Sequence, residues 1–167
     1  MLPIDNKKQI KIKKAKKKKR VIQKTRTIFS EIKSKISKCK QTAGEKKFPC
    51  TITESYIYKL YLECGKVCQE TKFPFLIDFV SGYHFNPFGL SIDRIDNKLG
   101  YVEGNVRLVL WIVNSIKNEW GEGLIYTILK KIISNMESRP EEQRPKEIIP
   151  DAIKIRKEYN NTGAILF

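Results

Sequence analysis

Histidine is almost absent from this chain: one residue, His84, in 167. That excludes histidine pairs as metal ligands and leaves a single position for the side chain most often used as a base near neutral pH. Cysteine is scarce too. Cys39, Cys50, Cys64 and Cys68 are the full set, and only the last two lie close together. No histidine pair completes a zinc ligand set, so buried free thiols are expected in place of a zinc site or a disulfide framework. No apolar run is long enough to span a bilayer and no hydrophobic signal-peptide core is present, which points to an intracellular protein with no membrane partner. No internal repeat is visible.

Acidic residues are nearly missing from one part of the chain. Residues 1–47 hold 18 Lys and Arg against 3 Asp and Glu, and residues 48–167 hold 15 against 15, so the net charge of +15 sits entirely in the first 47 residues. Within them, residues 7–20, KKQIKIKKAKKKKR, form a low-complexity run that cannot bury a core and repels itself. Such an arm binds polyanions by releasing their counterions. Lys11, Lys13, Lys14, Lys16, Lys17, Lys18, Lys19, Arg20, Lys24 and Arg26 are the nucleic-acid contacts expected there. A nuclear import signal has a similar composition. Abundant isoleucine, lysine, asparagine and tyrosine fit an AT-rich genome, such as that of an organelle, a phage or a large virus.

Residues 21–40 place Ile28, Ile32, Ile36 and Cys39 at helical spacing with lysines on the other faces, which predicts an amphipathic helix. Its apolar stripe would pack on the domain while its lysines continue the nucleic-acid surface. Residues 41–47, QTAGEKK, have the composition of a linker. A second helix should start at Thr53, whose hydroxyl can cap it, and run to about Glu63 with Tyr56, Ile57, Leu60, Tyr61 and Cys64 inward. Residues 73–80 suit a strand that Pro74 confines to an edge. Residues 122–136 carry Leu124, Ile125, Ile128, Leu129, Ile132 and Ile133 on one face, as a core-packing helix does. Residues 139–150 form a proline-punctuated connector, and residues 151–167 a short helix or tail. Three parts result: a basic arm with a helix (1–47), one domain with a modest core (48–138) and a carboxy-terminal extension (139–167).

The most informative stretch is residues 90–118, LSIDRIDNKLGYVEGNVRLVLWIVNSIKN. Asp93 and Asp96 follow the apolar Leu90 and Ile92 of a first strand, and Gly100 supplies a turn. Residues 106–110 are β-branched around Arg107 and suit a second strand. A helix begins at Trp111, with Asn114 and Asn118 on one face.

These residues resemble the HNH endonucleases, the ββα-metal family. The matching pieces are the run from Ser91 to Asp96, then Gly100 with Tyr101, Asn105 with Arg107, and Asn114. The run from Cys64 through Cys68 to Phe75 looks like the family's lead-in. The resemblance covers about residues 56–120. It implies an α+β fold: a small HNH-like ββα-metal domain with flanking helices, here joined to the basic arm and an extended tail. It also implies that Asp93 and Asn114 hold one divalent ion and that Asn105 pins the connecting loop by hydrogen bonds.

The chain departs from that pattern at the residue after the metal-binding aspartate. The resemblance calls for a histidine that takes a proton from the attacking water, and Arg94 stands there; in the related nonspecific nucleases the histidine is two residues further along, where this chain has Asp96. Arginine stays protonated, so it can clamp phosphate but cannot be the base. Loss of a general base costs ~10² to 10⁴ in rate. A metal-bound hydroxide or another base is the remaining route to hydrolysis. His84 lies in a turn-rich lead-in before the first strand, which suits a loop residue better than a replacement base.

Two functions compete on this reading. In the first, the domain is kept for its shape, and the arm with Arg94 and Arg107 contacts RNA phosphates. The protein would be a non-catalytic rRNA-binding component of a ribosome, organellar or mitochondrial, or of a similar ribonucleoprotein, alongside other proteins and needing no cofactor to bind. In the second it is a homing-type DNA endonuclease using Mg²⁺ or a similar ion on Asp93 and Asn114, with Arg94 bracing the scissile phosphate, in a nucleus, virus or phage.

Overall fold

The computed structural model describes residues 27–77 and 85–146. The arm with its expected contacts from Lys11 to Arg26, His84, the end of the 73–80 segment and the tail past residue 146 lie outside the described residues.

Helix α1, Ile28–Lys46, opens on a reciprocal cap. Thr27 Oγ1 accepts from Ser30 N at 3.2 Å, and Ser30 Oγ accepts from Thr27 N at 3.1 Å. The helix continues through the segment whose composition suggested a linker. Ala43 is buried there, and Gln41 Nε2 donates to Glu45 Oε1 at 3.0 Å, so a polar-looking sequence forms the last turns. Lys47, at φ 58°, ends it, while Phe48 N bonds to Ala43 O at 2.9 Å. Ile32, Ile36 and Cys39 of α1 join the same apolar cluster as both strands, so the core takes in α1 and does not start at residue 48.

Helix α2, Glu54–Glu63, is capped by Thr53 as expected, with Oγ1 accepting from Tyr56 N at 3.2 Å. Ile57 and Tyr61 are buried, and Tyr56, Leu60 and Cys64 pack partly buried against the core. Residues 73–77 form no strand. Only an isolated bridge joins Val67 to Pro74, consistent with a proline that has no N–H to offer a ladder.

Strand β1, Leu90–Arg94, pairs antiparallel with β2, Val106–Leu110, Leu90 facing Leu110 and Arg94 facing Val106. Helix α3, Trp111–Lys117, follows β2 with no side-chain cap. Loop carbonyls serve instead: Gly89 O accepts from Trp111 N at 2.7 Å and Pro87 O from Ile112 N at 3.1 Å. The chain is thus an α+β fold, and its β1–β2–α3 order is the ββα unit expected. Burying Leu90, Leu108 and Leu110 between this sheet and the helices contributes about 1.5–3 kcal/mol per side chain.

Helix α4, Glu122–Glu137, has the predicted bounds to within one residue but not the predicted burial. None of its residues is buried, and Leu124, Ile128, Leu129, Ile132 and Ile133 are exposed. Among the described elements its backbone packs on α3, and its first residue, Glu122, pairs with Arg107 of β2. Periodicity reports that a helix is two-faced; it does not report what covers the apolar face. A short 3₁₀ turn, Glu141–Gln143, follows. Among the described residues no helix is long and apolar enough to cross a membrane.

Candidate functional site

The antiparallel pairing sets Asp93 directly opposite Arg107. Facing residues in such a ladder project to the same side, so a carboxylate and a guanidinium meet without any loop to position them. Arg107 Nε donates to Asp93 Oδ2 at 2.8 Å, and its two terminal nitrogens reach Glu70 and Glu122. Burial works against the Arg107 charge, but the hydrogen bond and charge of Asp93, then Glu70 and Glu122, more than offset it and raise its pKa above the usual arginine value. Arg107, expected to face phosphate, is thus tied to three carboxylates.

Helix α3 turns back along β1 in the same direction as the strand. Asn114 therefore meets the start of β1, and Lys117, one turn later on the same face, meets its end. Asn114 Nδ2 donates to Ser91 Oγ at 2.8 Å and to Ile92 O at 3.3 Å. Lys117 Nζ donates to Asp93 Oδ2 at 2.9 Å, to Asp93 Oδ1 at 3.1 Å and to the carbonyl of Arg94 at 2.6 Å. Asp93 is 3 % exposed and Lys117 5 %. A carboxylate so deeply buried is tolerated only when paired, and here both of its oxygens are taken by protein cations.

Arg94 is turned inward as well. Its Nη1 donates to the carbonyls of Asn97 and Leu99, each at 3.0 Å, and its guanidinium lies over the rings of Phe48, at 4.8 Å, and Tyr101, at 5.3 Å. It closes the loop that follows β1. Asn105 closes the same loop from the other side: Oδ1 accepts from Asp96 N at 2.9 Å, and Nδ2 donates to Asp96 O at 3.1 Å and Gly100 O at 2.9 Å. Asn105 thus bridges the two ends of this loop through both atoms of its amide. Asp96 caps the turn locally, with Oδ1 accepting from Lys98 N at 2.8 Å.

A polar cavity of about 200 Å³ lies between α1, β1 and α3, and Ser91, Asp93, Asn114 and Asn118 line it. The structure thus brings the two residues expected as metal ligands, Asp93 and Asn114, to one cavity. The residues present do not fit a hard divalent ion, however. Such an ion needs several free oxygen donors at about 2.0–2.6 Å, whereas both Asp93 oxygens accept from Lys117 or Arg107, which leaves the neutral amide oxygen of Asn114 as the remaining donor of the expected pair. Among the described residues no group of three or more His, Cys, Asp and Glu side chains is placed to hold a metal.

The four cysteines are free. Cys68 Sγ accepts from the backbone N–H groups of Thr71 and Leu110, each at 3.4 Å, and the Cys64 thiol donates to Tyr61 O at 3.3 Å. Burial pushes the Cys39 thiol up to about 12, with Cys50 adding to the shift and Arg94 and Lys35 opposing it.

Sequence reading missed Lys117, Glu70 and Glu122. The spacing of Lys117 three residues after Asn114 was the available signal, since it places a lysine on the same helix face as Asn114.

No protein-family profile matches the chain, and no curated protein matches it by sequence. Among solved structures it is similar to PacI, described as a rare-cutting HNH restriction endonuclease, with 18 % identity and a TM-score of 0.47 over 70 % of this chain and 92 % of that one.

Proposed function

We propose that this HNH-like chain binds nucleic acid without cutting it, through its basic amino-terminal arm, and that the ββα domain serves as a scaffold. The observation that carries the reading is the state of Asp93, whose oxygens both accept hydrogen bonds from Lys117 and Arg107. Two further features support it. Arg94 stands where the resemblance calls for a base and spends its guanidinium on loop carbonyls. The +15 charge lies in the first 47 residues, and the remainder is formally neutral, so phosphate affinity belongs to the arm. Binding without cleavage suits a permanent component of a ribonucleoprotein such as a ribosome, and structured RNA is the partner we assign. The competing reading, a metal-dependent endonuclease, draws on the shared cavity of Asp93 and Asn114.

The test combines fluorescence anisotropy on labelled duplex RNA and duplex DNA with plasmid nicking in Mg²⁺ or Mn²⁺. The expected result is binding, tighter to RNA, with supercoiled plasmid left intact. Nicking that disappears in Asp93→Ala would establish the endonuclease, and tighter binding to DNA would overturn the choice of RNA.

A further inference from the structure

We infer that Lys117 is a built-in cation: its ammonium neutralises Asp93 in the manner of a metal ion, and shortening it uncovers a site for a hard divalent cation.

An ammonium has three N–H donors. Those of Lys117 are directed at three oxygens, the two of the Asp93 carboxylate and the Arg94 carbonyl, at 2.6–3.1 Å. This is an all-oxygen surrounding of the kind that hard cations take, with a carboxylate and a backbone carbonyl on the same point charge. It is also buried, so the charge at its centre is screened far less than at the surface. Lysine suits the task better than arginine, because its charge is compact and its stem flexible. The stem starts on α3, one turn beyond Asn114, and ends among the β1 oxygens, so the cation is supplied by the same helix that lines the cavity with Asn114.

Two consequences follow from the geometry. The wild-type domain needs no divalent ion to hold Asp93, since its charge is already met. Removing the ammonium while leaving space behind exposes a carboxylate and a carbonyl, with Asn114 on the same helix face, to whatever cation enters. Removing it while filling the space leaves Asp93 paired with Arg107 only and admits no ion.

This inference shares the Asp93 geometry with the proposed function, but it fails separately: nucleic-acid affinity does not enter its test. The experiment uses the full chain with MnCl₂ as probe, reading melting temperature and calorimetric binding for wild type, Asp93→Asn, Lys117→Ala, Lys117→Met and the Lys117→Ala, Asp93→Asn double variant. Wild type should melt at the same temperature in EDTA and in millimolar Mn²⁺ and bind none at the site. Lys117→Ala should melt about 10 °C or more lower in EDTA, recover with Mn²⁺ and bind one ion, and lose that ion in the double variant. Lys117→Met should be destabilised equally and not recover. Wild type binding one Mn²⁺ that Asp93→Asn abolishes would overturn the inference, as would a Lys117→Ala protein that folds and shows no response to Mn²⁺. A second measurement does not depend on the variants folding. A buried, hydrogen-bonded ammonium gives a slowly exchanging lysine ¹⁵Nζ resonance, assigned by its loss in Lys117→Arg. That signal should be present in wild type and unmoved by Mg²⁺, and its absence or its displacement by Mg²⁺ would equally overturn the inference.

Discussion

A Cβ placed on Gly100 would lie 2.1 Å from the carbonyl oxygen of Pro49. The two backbones are this close because Tyr101 N donates to that same carbonyl at 2.9 Å and Tyr101 O accepts from Thr51 N at 2.9 Å. The loop after β1 is therefore joined to the segment between α1 and α2 by main-chain hydrogen bonds. Gly100→Ala has only backbone and a proline ring to push against. It should lower unfolding free energy by about 1–3 kcal/mol or more, measured by urea denaturation. Wild-type stability in that variant would mean the approach is looser than described.

Arg94→His supplies the residue that the HNH resemblance calls for but should not confer cleavage. The shorter side chain gives up the bonds to Asn97 O and Leu99 O and the stacking on the Phe48 and Tyr101 rings. Two hydrogen bonds from a charged group and a desolvated cation–ring interaction put the destabilisation at about 2–4 kcal/mol. Plasmid nicking in Mg²⁺ should stay at background because Asp93 remains bonded to Lys117 and Arg107. Measurable nicking by this single variant would contradict that account.

Deleting residues 1–20 should flatten the dependence of log affinity on log salt, by about 0.7–0.9 for each phosphate that the arm no longer neutralises. The assay is anisotropy between low and moderate KCl. A truncated protein with the full-length slope would assign phosphate binding to the domain.

Stability should fall on the alkaline side through Cys39. Burial holds the folded thiol at about 12 against an ordinary value of 9.0. Because the folded pKa is the higher one, its contribution is complete below pH 9 and is lost as pH rises from 9 towards 12, by up to about 1.4 kcal/mol per pH unit. Burial also raises the Tyr101 phenol, which adds to the fall above its ordinary pKa of 10.0. Denaturation at pH 8, 9.5 and 11 should show a steeper loss in wild type than in Cys39→Ala, even though that variant starts lower from poorer packing. Parallel curves would remove Cys39 as the cause.

Strands β1 and β2, helix α3 and the Thr53 cap were legible in the sequence, because β-branched alternation, a hydroxyl before an apolar period and a break at Gly100 each act over a few residues. Residues 41–47 misled because glycine and polar side chains report local preference, while the helix there is held by the burial of Ala43 against the core. The α4 stripe misled in the opposite sense, being apolar without being covered by the described residues. At the candidate site, the meeting of Asp93 with Asn114 around one cavity followed from the motif. The partners of Asp93 did not, because Arg107 arrives through strand register and Lys117 through the path of α3 beside β1. Neither is a property of neighbouring residues in the chain.

The inward-facing pair, Arg94 and Lys117, makes the site resistant to single substitutions. Exchanging Arg94 for a base loosens the loop and yields no cation; removing Lys117 strips Asp93 of a partner and yields no base. Each change alone costs folding free energy and supplies at most one of the two components, base or cation, so their effects on hydrolysis should be non-additive. Installing both components therefore calls for a scaffold stabilised beforehand, so that the cost of the two exchanges does not unfold it.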